Sequence, residues 1–269
     1  MSTSGYYAWL ERPESERKQR NNELMRQIVK ISDASQSTYG RPRIQRTLLG
    51  MSIRCGKTRL ENMMKLAGVS GQIKKRFRVK TTDSNHTNPI SERVFKTEQW
   101  HTHPTQANQV WASDITYVHT TEGFVFLAIF LDLFTKKVVG FSTDDHMRSE
   151  LIINALEMAI GRQKIKDIPM VAHSDRGSQY AGLEYRKKLK ELKITSSMSR
   201  RGNCYDNAFA ESFFATIKKE LIYRTKFATK MEAKKAIFEY IEVWYNRQRI
   251  HSSIGYMTPI QFEESLRIA

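Results

Sequence analysis

"VWASDITYVHTTEGFVFLAIFLDLFTKKVVGFSTDD", residues 110–145, is the stretch from which the fold is read. "VWASDITYVHT" alternates apolar and polar residues, the period of a strand with one face in a core. "GFVFLAIFLDLFT" follows a turn at "TEG" and is dense in the branched and aromatic side chains that favour strands. "KVVGFSTDD" comes almost at once. Three strands with tight connections predict an antiparallel meander.

Downstream, "SELIINALEMAIGRQK" reads as a helix, "PMVAHSD" as a buried strand and "QYAGLEYRKKLKELK" as a second helix. "ITSSMS" is a short strand, and a helix follows the polar loop "RRGNCYDN". The order is β-β-β-α-β-α-β-α. A meander feeding βαβα units makes an α/β fold, a mixed five-stranded sheet with helices on both faces. This is the layout of the RNase H-like fold. After it, "KMEAKKAIFEYIEVWYNRQRI" has Ala233, Ile237, Ile241 and Tyr245 on one helical stripe, and "IQFEESLR" forms a last short helix.

Upstream, residues 16–32 have Leu24, Ile28 and Ile31 at helical spacing, and "YGRPR" breaks that helix. "IQRTLLG" and "KTRLENMMKLAGV" are two short helices joined by "MSIRCG", a unit of helix-turn-helix size with Arg41, Arg43, Arg46, Arg54, Lys57 and Arg59 near its turn. The expected organisation is a helical region over 1–70, a basic linker over 71–107, an α/β core over 108–224 and a helical extension over 225–269.

The 269 residues carry a net charge of +16. The isoelectric point near 9.8 calls for a polyanionic partner, with nucleic acid the first reading. Residues 1–110 hold 20 Lys and Arg against 9 Asp and Glu, a net of +11, and the remainder nets +5. The basic run "KKRFRVK", with Lys74, Lys75 and Arg76, either tracks a phosphate backbone or is a solvated linker. Cys55 and Cys204 have no CxxC partner, which argues against a disulfide framework or a cysteine-rich zinc site and fits a reducing cytosol. The N-terminus lacks a signal-peptide pattern, and the longest apolar run is too short to span a bilayer.

Three carboxylates stand out. Asp114 lies in the first strand, Asp175 ends the fourth, and Glu211 begins the helix after the loop. Sixty residues separate the first two and 35 the last two. Side-by-side strands and a helix above one sheet edge bring them together. Oxygen donors without His or Cys favour Mg²⁺ or Mn²⁺ over Zn²⁺, and two such ions suit phosphodiester chemistry. Asp132, inside "FLDLF", is a rival for the first position but reads as a structural polar group near a strand end. Asp144, Asp145 and Asp206 read as turn residues, and Trp111 as core. His101 and His103 lack cysteine partners, so no structural zinc is expected.

"NQVWASDITYV", "HSDRGSQY" and "SRRGNCYDNAFAESFFATIKKE" resemble the three acid motifs of the DDE transposases of bacterial insertion sequences, cousins of retroviral integrases. "YNRQRIHSSIGYMTPIQF" resembles the closing signature, and "YGRPRI" the start of the helix-turn-helix segment, of the OrfB-type product of the large family made by frameshifting between two reading frames. The resemblance covers nearly the whole chain. It implies that Asp114, Asp175 and Glu211 bind two Mg²⁺ or Mn²⁺ ions. It also makes Lys218 the basic residue after the Glu. Seven residues are about 700° and about 10.5 Å of helix, so Lys218 shares a stripe with Glu211 and can reach a DNA phosphate. By the same resemblance, Arg200, Arg201 and Asn203 would belong to a mobile loop that closes on DNA. Cys204 in that loop reads as a packing residue. Arg247, Arg249 and His251 either touch DNA or pack the end of a helix.

The implied activity is metal-dependent cleavage of one strand at the element's ends, followed by in-line attack of the new 3′-hydroxyl on another phosphodiester. The family follows a copy-out, paste-in route through a branched intermediate and an excised circle. The implied partners are double-stranded DNA, at the terminal inverted repeats and the target, a second copy of the chain, and the first-frame OrfA protein, with no membrane. No heptad run appears, so the first-frame protein is expected to supply part of the end recognition. The rival readings are an RNase H-fold nuclease without joining, and a DNA-binding regulator without chemistry.

Overall fold

A computed structural model describes residues 3–10, 12–71, 89–94, 104–163, 169–200 and 208–268. The chain divides into two compact units, Met1–Lys75 and Arg76–Ala269.

The first unit is helical: α1 (Thr3–Leu10), α2 (Glu16–Ala34), α3 (Arg41–Gly50) and α4 (Lys57–Leu66). Ser15 caps α2, its hydroxyl accepting from the Lys18 amide at 3.3 Å. Pro42 sits at the start of α3, where its missing N–H costs nothing. The apolar stripes of α2, α3 and α4 meet in a small core of Leu24, Ile28, Ile31, Ile44, Leu48, Leu60, Met63 and Met64. The α3–turn–α4 pair is helix-turn-helix-like. Gly71 packs its backbone on Gly40, and a Cβ there would lie 2.7 Å from the Gly40 Cα.

The second unit holds a five-stranded sheet in the order β3-β2-β1-β4-β5. β1 (Val110–Thr120), β2 (Gly123–Asp132) and β3 (Val138–Asp144) form the antiparallel meander expected from the opening stretch. β4 (Val171–Ser174) then pairs parallel to β1, and β5 (Thr195–Met198) parallel to β4. The crossover from β3 to β4 is α5 (Ser149–Arg162), which packs on β2 and β3. Gly140 in β3 permits this approach, because a Cβ there would stand 2.2 Å from the Ala155 carbonyl oxygen. Trp111, Ala128, Phe130 and Val139 share a core with α5, while the alternate residues Val125, Leu127, Ile129 and Leu131 are equally buried. Both faces of the sheet are therefore covered, the second by α8 (Ala208–Glu220) and α9 (Lys230–Glu239), which lie against β1 and β2.

Two elements depart from the sequence reading. "QYAGLEYRKKLKELK" is two helices, α6 (Ser178–Ala181) and α7 (Leu183–Glu191), because Gly182 takes an extended conformation between them. The stripe through Ile237 and Tyr245 changes pitch. α9 passes into a π-helical turn, Tyr240–Tyr245, and α10 (Pro259–Ile268) completes the unit.

Candidate active site

The register of β1 and β4 brings the first two acids together. Ala112 pairs with His173, and continuing the parallel register by two residues sets Asp114 level with Asp175. Neighbouring strands run about 4.8 Å apart, and positions two apart face the same way. The third acid arrives from α8, which packs on β1 and carries Glu211 in its first turn.

The electrostatics record the convergence. Burial raises the Asp114 carboxyl well above its ordinary value, and the charges of Asp175 and Glu211 raise it further. The Ile115 amide, donating to Asp114 Oδ1 at 2.8 Å, and the Lys218 ammonium pull the other way without offsetting this. Glu211 is exposed as a residue. Its carboxyl is still enclosed enough for burial, then the Asp175 charge, to raise its pKa. Burial lowers the pKa of the half-buried Lys218, whereas Asp114 favours its charged form. Lys218 thus faces Asp114 from the same α8 stripe as Glu211.

Beneath the acids, the fully buried Tyr180 hydroxyl pairs with Ser113 Oγ at 2.9 Å. Burial and the charges of Asp114 and Asp175 push this phenol well up. Sequence reasoning did not single out Ser113 or Tyr180. Both lie inside the quoted acid motifs, and that was the available signal. Asp175 Oδ1 accepts from the Gly177 amide at 2.9 Å, an Asx-type turn that holds the carboxylate beside the strand end.

Among the described residues, no group of three His, Cys, Asp or Glu side chains is drawn into a metal cage. The donors nonetheless suit a hard divalent cation. They are carboxylate oxygens whose mutual repulsion a cation would relieve.

Asp132 is structural. It is 1% exposed, and its Oδ1 accepts from the Phe134 amide at 2.8 Å and the Thr135 amide at 2.7 Å. The Thr135 hydroxyl and the Asn108 amide also donate to it. Trp111 is core, with Nε1 donating to Asn108 Oδ1 at 3.2 Å. Asp145 pairs with Lys230 and Lys234, and Asp144 ends β3.

The basic candidates divide. Arg249 requires a correction: it is 5% exposed and locked in an ion pair with Glu220 at 2.9 Å, so it is not a surface group for DNA. Arg247 and Arg200 are exposed. Arg41 pairs with Glu61 at 2.9 Å, and the Arg43 guanidinium lies over the Tyr39 ring. Lys74, Lys75, Arg76, Arg201 and Asn203 lie outside the described residues, as do His101, His103, Cys204 and Asp206.

Comparison with known proteins gives a consistent result. Two models described as "Integrase core domain" match residues 104–204 and 192–259, and one described as "HTH-like domain" matches residues 19–77. The chain is 39% identical to the 31 kDa protein of insertion element IS600 from Shigella sonnei, over 98% of this chain and 95% of that one. It is 35% identical to the transposase for insertion sequence element IS904 of Lactococcus lactis, over 90% and 93%. It is 33% identical to transposase InsF for insertion sequence IS3A of Escherichia coli, over 98% and 90%. Among solved structures, the simian T-cell lymphotropic virus intasome, in complex with a PP2A regulatory subunit, shares the fold. It aligns with a TM-score of 0.52 at 17% identity, over 90% of this chain and 76% of that one.

Proposed function

Since the chain belongs to the IS3-type, OrfB family of insertion-sequence DDE transposases, with a retroviral-integrase-like core, we propose that it cleaves the 3′ ends of its element and joins them to target DNA. The observation that supports this reading most directly is Asp114, a strand carboxyl raised by burial and then by two further carboxyls from separate elements, and approached by Lys218.

Asp114, Asp175 and Glu211 would hold two Mg²⁺ or Mn²⁺ ions. Bound there, such ions supply Lewis acidity to the attacking and leaving oxygens of a phosphodiester. The chain's own groups do the rest. Burial and the neighbouring acids raise the Asp114 and Glu211 carboxyls, so a bound cation would relieve the repulsion among them and would compete with protons for the same oxygens. Lys218, half-buried beside Asp114, orients the scissile phosphate and offsets its charge. Ser113 and Tyr180 brace β1 from below, limiting the drift of Asp114. Arg200, just past β5, and Arg247 present positive charge for the DNA backbone, with Arg41 and Arg43 doing so on the helix-turn-helix-like unit. The proposed organisation remains a helical region over 1–70, a linker over 71–107, a core over 108–224 and an extension over 225–269. No helix among the described residues is long and apolar enough to cross a membrane. The proposed setting is the bacterial cytoplasm at the nucleoid, with two or more copies on DNA and the first-frame protein as companion.

The test uses labelled duplexes carrying the element's own ends, with Mg²⁺, comparing wild type with Glu211→Gln. Nicked and joined products that vanish in the variant are expected. Nicks without joined products, with the first-frame protein present, would leave a nuclease. Equal products from both proteins would remove Glu211 from the site.

A further inference from the structure

The side of α8 turned away from the acids ends in a saturated buried ion pair. Glu220, 8% exposed, accepts from Arg249 Nε at 3.0 Å to each oxygen and from Nη2 at 2.9 Å. The Tyr240 hydroxyl at 2.8 Å and Trp244 Nε1 at 3.2 Å donate to Glu220 Oε2. Glu220 lies nine residues after Glu211. That is about 900°, half a turn beyond two full turns, so the two acids occupy opposite faces of one helix. Tyr240 and Trp244, like Tyr245, belong to the π-helical turn, whose five-residue hydrogen bonds run from Asn246 to Ile241 and from Arg249 to Trp244. The wider turn sets Tyr240, Trp244 and Tyr245 all against α8, where the Tyr245 ring meets Phe213 edge-on at 4.7 Å. At the other end of α8, Lys136 from the β2–β3 turn stands 4.8 Å over the Phe209 ring.

We propose that Arg249 and the π-helical turn clamp α8 through Glu220, and so fix the rotation of the helix that presents Glu211 and Lys218 to the acids on the sheet. Arg249 is a positioning residue in this arrangement and touches no substrate. The inference rests on the reading of Asp114, Asp175 and Glu211 as the reacting site. The leverage is geometric. A carboxyl about 6 Å from the helix axis moves about 2 Å when the helix turns by about 20°, and a misplacement of about 1 Å can cost about 100-fold in rate. Phe213 and Ile217 pack α8 through apolar contacts, which tolerate rotation better than hydrogen bonds to a fixed guanidinium fork do.

Single removals from a buried pair strand a charge and threaten the fold, whereas replacing both partners by apolar groups of similar size often leaves stability intact. The decisive variant is therefore the double Glu220→Met/Arg249→Met in the full chain. Steady-state cleavage of element-end duplexes with Mg²⁺ is compared with wild type and Glu211→Gln, alongside thermal melting. The expected result is a folded protein with a kcat lowered at least about tenfold and KM for DNA within about twofold, its melting temperature reduced only by the loss of the Tyr240 and Trp244 acceptor. A merely structural pair predicts wild-type turnover in the folded double variant, and that result would overturn the clamp. If the double variant does not fold, Arg249→Lys keeps the charge while losing the fork. A lowered kcat at native stability then supports the clamp, and an unchanged kcat overturns it. If wild type shows no metal-dependent cleavage, the functional reading fails by itself. Amide exchange over residues 208–213 then decides the clamp. Exchange at least about tenfold faster in the double variant supports it, and unchanged exchange overturns it.

Discussion

Asp114 and Asp132 sit on neighbouring strands of one sheet, and burial raises both their pKa values, yet they do opposite things. Asp132 collects amide donors from Asn108, Phe134 and Thr135 and the Thr135 hydroxyl, and these donors oppose the rise that its burial causes. Asp114 has the Ile115 amide and two carboxylates for neighbours. Burial and a raised pKa alone do not mark a reactive acid. What separates the pair is whether the charge is already satisfied by the fold or is left for something the protein binds.

The comparison breaks most sharply under isosteric substitution. Asp114→Asn is expected to lower metal-dependent strand cleavage by about 100-fold to 1,000-fold or more, the worth of several kcal/mol of transition-state stabilisation. Melting should stay at or above wild type, since a repelled charge is gone. A thermal scan beside the gel assay reads both, and a variant that cleaves normally would end the distinction.

Asp132→Ala should show the reverse. It strands several buried donors, costing about 3 kcal/mol and lowering Tm by about 6–12 °C. Activity per folded molecule should be retained at low temperature. Denaturant melts paired with cleavage rates test this, and lost activity in a stable variant would restore Asp132 as a rival.

Protonation gives a smaller difference. An acid whose folded pKa is raised above its unfolded value costs stability at neutral pH. That cost is relieved as pH falls through the folded pKa, because the folded state then takes up protons first. Asp114, Glu211 and Asp132 all shift in this direction. Metal-free protein should therefore gain stability on acidification from pH 7, until pH reaches the ordinary carboxyl range. Asp114→Asn should gain less. Added Mg²⁺ should raise the wild-type Tm at pH 7 and move the variant's less. Identical pH profiles would show that Asp114 is not the group responsible.

Asp145 supplies the lower bound. It pairs with Lys230 at 3.0 Å and Lys234 at 3.1 Å near the surface, where salt screens the attraction. Asp145→Asn should leave stability little changed and cleavage untouched, as urea melts at low and high salt would show.

How far these roles are legible in the sequence differs by residue. The meander is written in the alternation of residues 110–145, because strand period and turn chemistry are local properties. The spacing of Asp114, Asp175 and Glu211 likewise survives translation into structure, since strand ends and a helix start are positions a periodic pattern locates. Arg249 was misread. Its charge belongs to a motif rich in basic residues, and nothing within reach along the chain announces Glu220, 29 residues earlier. The π-helical turn was equally hidden, because a stripe at helical spacing does not record one wider turn.

The sequence by itself determined the order of the core strands and helices, which rests on local periodicity, and its motifs carried the resemblance to the family. Only the tertiary structure decided which charges are satisfied: Asp132 by several backbone amides, Glu220 by Arg249, and Asp114 only in part, by the Ile115 amide and Lys218 against two neighbouring carboxylates. The reason is physical. A side chain's type fixes the charge it carries, but the low dielectric and the partners that set the cost of that charge come from segments that meet only when the chain is packed.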